Sequence, residues 1–183
     1  MQFKWKISVL GDPSVGKTSL VRRYVTGAFS DSYLSTIGVT FLRKEFKLDL
    51  HEVTLQIWDL GGQNLFSSVR ANYLKGSHAA LILFDLTQKT TLAHVQQWID
   101  EVLGVCGKIP IVIIGNKSDL PYKPTVDEKA QQLCTNLGYQ YAKTSAKTGD
   151  QMEETFIAVS KLIMAEYERM VGTPFPPGGT NNE

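Results

Sequence analysis

Segments of two kinds alternate along this chain. "KISVL", "VTLQIW", "HAALILFD" and "IPIVIIGN" are short apolar or alternating runs that read as strands. The last two are almost continuously apolar, which suits central strands covered on both faces. Helical patterns lie between them. In "TLAHVQQWIDEVL" the residues Leu92, Val95, Ile99 and Val102 step by 3, 4 and 3. In "DQMEETFIAVSKLIMAEYERM" Met152, Phe156, Val159 and Ile163 step by 4, 3 and 4. A further helix is predicted to start at Lys17, and another to cover Val126 to Leu137. Strands alternating with helices predict an α/β fold built on a mostly parallel sheet with helices on both faces. One pair departs from that rule. "GVTFLRKEFKLDL" and "EVTLQIWDL" are separated only by a short turn near Asp49 to Glu52, which predicts an antiparallel hairpin at the sheet edge.

Composition narrows the class of molecule. The chain has 183 residues, 43% hydrophobic and 20% charged, as expected of one globular domain with a full core. Its net charge of +1 argues against a surface that coats nucleic acid. The two cysteines, Cys106 and Cys134, form no CxxC and no metal-ligand spacing, which fits a reducing compartment and predicts a cytoplasmic location. No apolar run is long enough to cross a bilayer, no signal peptide is visible, and Gln2 after Met1 argues against N-myristoylation. No repeats and no second domain are visible. The end "GTPFPPGGTNNE" is rich in Pro and Gly, so residues 172–183 are expected to be a disordered tail behind a single domain over residues 1–171.

The first candidate chemistry is "GDPSVGKTSL". Gly11 and Gly16 stand five residues apart, followed by Lys17 and Thr18, between a predicted strand and a predicted helix. Glycines let the backbone curl until several N–H groups point at one phosphate. The helix behind adds its positive end. Lys17 supplies a full charge to the outer phosphates, and Thr18 can offer its hydroxyl to Mg²⁺. The plain alternative is a glycine turn beside a solvated lysine. The surroundings favour a phosphate loop made of Gly11, Asp12, Pro13, Ser14, Val15, Gly16, Lys17, Thr18 and Ser19.

Such a loop does not choose a base, and an ATPase, a nucleotide kinase or a GTPase would all fit. "GNKSDL" follows "IPIVII", at a strand end where ligands gather in open α/β sheets. Asp119 can accept from both the ring N–H and the exocyclic amine of guanine, a pairing adenine cannot return. Asn116 shares this segment, and the apolar stem of Lys117 can lie over the ring. Alone, "NKSD" reads equally well as a surface turn; behind a phosphate loop it points to guanine. "TSAK" follows the next predicted strand, "YQYA", and contributes Ser145, Ala146 and Lys147, with the Ala146 N–H placed to reach the guanine oxygen.

Taken in order, "GDPSVGKT", "STIG", "WDLGGQ", "NKSD" and "TSAK" resemble the Ras superfamily of small GTPases over about residues 4 to 170. Within it, "STIGVTF", "LQIWD" and "NYLKGSH" are most similar to Rab forms. The resemblance implies a P-loop NTPase (small G protein) fold: a six-stranded, mostly parallel sheet with one antiparallel edge strand, flanked by five helices. It implies that Lys17, Thr36, Gly62 and Gln63 form the catalytic set, with Gln63 orienting the attacking water and the Gly62 N–H touching the γ-phosphate. Thr18 and Thr36 would coordinate Mg²⁺, with Asp59 supporting the metal through water. Phe29 resembles the aromatic that packs across guanine; its alternative is a hydrophobic plug behind the first helix.

The activity implied is hydrolysis of GTP to GDP and phosphate within a GTP/GDP switch. The implied partners are an effector, an exchange factor and a GTPase-activating protein, and the implied state is a monomer working in membrane (vesicle) traffic. The segments 30–40 and 61–73 would relax when the third phosphate is lost. Arg22, Arg23 and Arg70 read as solvated or salt-bridged, so no built-in arginine finger is expected and unaided turnover should be slow. The alternative is a guanine-nucleotide-binding scaffold that does not hydrolyse. A metabolic P-loop kinase would need an Arg-rich lid that the sequence lacks.

Period-2 reasoning adds one more feature. Val53, Leu55 and Ile57 share a face, so Trp58 falls in phase with the polar Thr54 and Gln56. Phe41 falls in phase with Arg43 and Glu45. Two aromatics out of register on adjacent strands suggest a binding surface, unless a loop or helix covers them. In Rab proteins an effector-contacting aromatic triad occupies positions matching Phe41, Trp58 and Tyr73. Three departures stand out. Pro13 removes an N–H donor beside the catalytic glutamine. "WDLGGQN" looks more like Arf and heterotrimeric Gα forms, with Gly61 expected to loosen the second switch, although "TSAK" argues against Arf. The last segment carries no cysteine for a lipid, so residence at the cytosolic face of a membrane is expected only through partners or a missing lipidated tail.

Overall fold

The structure is a computed structural model that describes residues 1–29, 38–61 and 67–172. The strands are β1 (Gln2–Gly11), β2 (Val39–Leu48), β3 (His51–Leu60), β4 (Ala79–Asp85), β5 (Ile111–Asn116) and β6 (Gln140–Thr144). The helices are α1 (Lys17–Thr26), α2 (Ser67–Leu74), α3 (Lys89–Ala93), α4 (Val95–Cys106), α5 (Pro124–Leu137) and α6 (Met152–Val171). The sheet order is β2-β3-β1-β4-β5-β6. Every neighbouring pair is parallel except β2 with β3. The hairpin expected at the edge is present. Its loop is two residues, Asp49 and Leu50, because Leu48 pairs with His51, and Asp49 takes a positive φ of 52°.

The continuous apolar runs are central strands, as expected: all seven residues of β4 and all six of β5 are buried. Alternate side chains feed two cores. Leu81 and Leu83 of β4 join Ile7, Val9, Leu55 and Ile57 beneath α1 and α6. Ala80, Ile82 and Phe84 join Leu10 and Leu60 beneath α2, α4 and α5. In the first core Tyr24 of α1 stacks on Phe156 of α6 with ring centroids 3.7 Å apart.

The helices follow the apolar steps with three refinements. α5 begins at Pro124 rather than Val126, since proline at the first helical position forfeits only an N–H that has no intrahelical partner. The helix read through "TLAHVQQWIDEVL" is interrupted at His94, so α3 and α4 are two pieces of one helical body and the sheet carries five such bodies. α2 has no strong apolar stripe in "SSVRANYL" and was not marked by periodicity.

The chain leaves β1 for β3 on one side and later takes up β4 on the other. The carboxyl end of β1 is therefore the point where the crossovers diverge, the usual position of a ligand crevice. Residues 11–16 lie there. Gly11 has φ +138°, and a Cβ added to it would sit 2.2 Å from the Leu83 carbonyl oxygen on β4. Gly11→Ala should therefore cost about 3 kcal/mol in guanidinium denaturation. Gly27→Ala, which meets nothing within 4 Å at φ +73°, should cost about 1 kcal/mol.

Candidate functional site

Four of the segments singled out in the sequence lie at the carboxyl ends of strands. The glycine loop follows β1, Asp59 stands near the end of β3, "NKSD" follows β5 and "TSAK" follows β6. Gly16 is the left-handed N-cap of α1 at φ 98°, with no side chain capping the helix and no acidic residue in its first turn. That end of α1 keeps its positive character. Ser14 also has a positive φ, 66°, so the curl of the loop takes in a non-glycine residue. Pro13 and Ser14 are exposed and Val15 is buried as the anchor between them and the helix.

Lys17 is not a solvated lysine. It is 6% exposed, and its Nζ donates to the carbonyls of Gly11 at 2.8 Å and Asp12 at 2.7 Å. Burial pulls its pKa down to about 8, opposed by the charges of Asp59 and Asp12. The Thr18 hydroxyl donates to Asp59 Oδ2. Asp59 is fully buried, burial pushes its carboxyl above the usual range, and its Oδ1 has no hydrogen-bond partner among the described residues. A buried carboxylate with an orphaned oxygen beside a threonine hydroxyl is a hard-oxygen donor set. Mg²⁺ commonly uses one or two carboxylates together with substrate phosphates and water, so the residues fit that ion.

The base end is assembled around Asn116, which is 1% exposed. Its Nδ2 donates to the Val15 carbonyl at 2.9 Å. Its Oδ1 accepts from the Thr144 hydroxyl at 3.1 Å and the Ala146 N–H at 3.3 Å. Asn116 thus joins the phosphate loop to both base-side loops. Gly16 is glycine for the same reason, because a Cβ there would lie 2.2 Å from Asn116 Nδ2. Asp119 is exposed and accepts from the Ser145 hydroxyl at 2.6 Å. Lys117 has φ 66°, and its Nζ meets Asp85 Oδ2 at 2.6 Å, which fixes the course of its stem. Lys147 is exposed, Ser19 is half-buried on α1, and Phe29 packs half-buried against the core beneath α1 and α6. Thr36, Gly62 and Gln63 lie outside the described residues.

One participant went unmarked in the sequence, and two that were marked hold partners the sequence did not name. Asp85 ends β4 and organises the turn behind it, accepting from the Thr87 N–H at 2.9 Å and the Thr87 hydroxyl at 2.6 Å. A carboxylate closing the apolar run "AALILFD" was its signal. The Asp12 carboxylate is turned towards the helices, accepting from Trp98 Nε1 at 2.8 Å and meeting His94 Nδ1 at 2.6 Å. Arg70 is salt-bridged, one of the two states expected, but it is also 5% exposed.

The aromatics out of register come together. Phe41 lies directly opposite Trp58 in the β2–β3 ladder, with centroids 5.0 Å apart, and Trp58 lies 5.7 Å from Tyr73 of α2. Phe41 is 48% exposed, and Trp58 and Tyr73 are half-buried.

A phosphate loop after the first strand, at the divergence point of a mostly parallel sheet, defines a P-loop nucleotide-binding protein. A model of the Ras family matches residues 6–165, and the chain belongs to that family of small GTPases. Members of the family bind guanine nucleotide, typically with Mg²⁺, and act in general as GTP-hydrolysing switches.

The lowered pKa of Lys17 gives a signed expectation. Without nucleotide the amine loses its proton near pH 8; phosphate oxygens favour the charged form, so bound Lys17 titrates higher. Nucleotide binding should therefore take up a proton at pH 8.5 and almost none at pH 6.5. Affinity should fall as pH rises above 8, by at most about tenfold per unit. Calorimetric titration in two buffers of different ionisation enthalpy reads the uptake directly, and equal heats at pH 8.5 would refute it.

Proposed function

We propose that this GTPase is a Rab-like switch that hydrolyses GTP slowly unaided, is accelerated by an activating protein, and presents its triphosphate state to an effector. The observation that carries the reading is the set of hydrogen bonds by which Asn116 ties the phosphate loop to the base loops, together with the orphaned oxygen of Asp59 beside Thr18.

At this site the amides of residues 11–18 and the Lys17 ammonium would cradle the β- and γ-phosphates, and Asp119 would select guanine. The Ser145 hydroxyl holds one Asp119 oxygen at 2.6 Å and so orients the carboxylate for the paired N–H groups of that base. Thr18 and Asp59, together with Thr36, would hold Mg²⁺, which offsets charge on the outer phosphates. Displaced from the Gly11 and Asp12 carbonyls, Lys17 would gain a phosphate in exchange for two neutral acceptors. Gln63 would orient the attacking water and the Gly62 N–H would meet the γ-phosphate. Phe29, at the end of the described segment before residue 30, would pack across the base.

Such a site positions groups and neutralises charge, so its rate depends on how much positive charge reaches the transition state. Among the described arginines Arg70 is bound to Glu101 and Arg23 leans on the Thr148 carbonyl at 3.5 Å, while Arg22 is an exposed residue on α1 that we read as solvated. An activating partner would supply an arginine in trans. The surface of Phe41, Trp58 and Tyr73 lies between the two segments that follow the phosphate, where an effector reads both. We place the protein in the cytoplasm, serving membrane traffic at the cytosolic face through partners or a lipidated segment.

Two measurements test this. Single-turnover hydrolysis should run below about 1 s⁻¹ unaided and slow further in Gln63→Leu; equal rates in both chains would favour a non-hydrolysing scaffold. Trp58→Ala should abolish effector capture while leaving nucleotide affinity within about twofold, and equal loss of both would remove the docking role.

A further inference from the structure

Arg70 does more than satisfy an acidic neighbour. Its Nε and Nη2 fork onto the two carboxylate oxygens of Glu101 at 2.5 and 2.9 Å. Its Nη1 donates to the Gly61 carbonyl at 3.2 Å, and its guanidinium lies 4.7 Å from the Trp98 ring centroid. Trp98 in turn donates to Asp12 in the phosphate loop. A buried guanidinium is costly unless paired, and Glu101 supplies the pairing charge. Its Nη1 meanwhile reaches a backbone carbonyl where the second expected switch segment begins.

That carbonyl has an unusual position. Gly61 is buried, and its N–H donates to the carbonyl of Gly38 at 2.9 Å. Gly38 lies near the end of the first expected switch segment, 30–40, and Gly61 begins the second, 61–73. A glycine would otherwise sample many backbone states, but here both polar groups are taken. Because a peptide unit is planar and trans, fixing a carbonyl fixes the direction of the amide bonded to it.

We propose that Arg70 is a positioning residue of the switch. By holding the Gly61 carbonyl it sets the plane of the peptide leading into residue 62, and so tunes discrimination between tri- and diphosphate. Glu101 locks the guanidinium in the required orientation, and Trp98 passes the same restraint to Asp12. The inference rests on the GTP-switch reading above.

The test compares wild type, Arg70→Ala, Arg70→Lys and Glu101→Gln for affinity to GDP and to a non-hydrolysable GTP analogue, with single-turnover hydrolysis and thermal melting alongside. Arg70→Ala should weaken analogue binding about tenfold relative to GDP and slow hydrolysis by a similar factor. Arg70→Lys, which can keep one donor near the carbonyl, should shift the ratio the same way by about threefold, and it serves if the alanine variant does not fold. Glu101→Gln, whose amide offers one acceptor oxygen where the fork uses two, should lower the melting temperature and shift the ratio in the same direction as Arg70→Ala, by about threefold. The proposal is overturned if a folded Arg70 variant loses both nucleotides by the same factor or shifts neither. It is also overturned if a folded Glu101→Gln chain keeps the wild-type ratio. A wild-type chain that binds neither guanine nucleotide overturns this proposal and the switch reading together, which tells the two failures apart.

Discussion

The buried amide of Asn116 is the constraint on which the site depends. It spends its donor on the phosphate loop and its acceptor on the loop after β6, so three segments distant in sequence share one side chain. No water-filled gap compensates for its loss, because the residue is 1% exposed. Glycine at position 16 follows from the same packing, as does the tight seat of Gly11 on the β4 backbone. The glycines of the phosphate loop are thus required twice. They let the chain curl, and they leave room for neighbours that have already closed in.

What could be read from the sequence was whatever a short-range rule encodes. Strand runs buried on both faces, the hairpin between β2 and β3, and the start of α1 at Lys17 all follow from period and spacing, and the structure has them where expected. The Trp58 and Phe41 phase argument used only the alternation of a strand, and the two rings do face each other. Illegible features depend on contacts between distant segments. Nothing local says that the Asp12 carboxylate turns to Trp98, or that Lys117 reaches Asp85. α2 has too few apolar positions to show a stripe, since Leu74 and the half-buried Tyr73 carry its apolar packing and the buried Arg70 fills an inward place as well. The break at His94 is equally hidden, because the apolar steps run through it unchanged while the ring turns aside to Asp12. Thr36, Gly62 and Gln63 rest on the family resemblance alone.

The aromatic cluster carries a structural cost that argues for use. Trp58 Nε1 is buried without a hydrogen-bond partner among the described residues, and Phe41 beside it stays largely open. Selection for stability alone would favour a polar or β-branched residue at an outward strand position. Lys6 Nζ sits 5.1 Å from the Trp58 centroid and donates to the Lys75 carbonyl, so the indole is also propped from the adjacent strand. A ring held in a fixed orientation loses little entropy when a partner covers it, which is the property a recognition surface needs.

Gly61 shows how a departure from a family pattern can be neutralised by its surroundings. Read alone, a second glycine in "LGGQ" adds backbone freedom at the start of the switch. In the structure that freedom is removed from both sides, by Gly38 through the N–H and by Arg70 through the carbonyl. Gly38, in the first segment expected to respond to the third phosphate, is thus joined to Gly61, in the second, by one hydrogen bond. A motion that withdraws residue 61 breaks its bond to Gly38, and one that shifts Gly38 pulls on the peptide that Arg70 holds. On the proposed switch reading, coupling between the two segments would run through two hydrogen bonds at a glycine, with Glu101 and Trp98 holding the guanidinium that makes one of them.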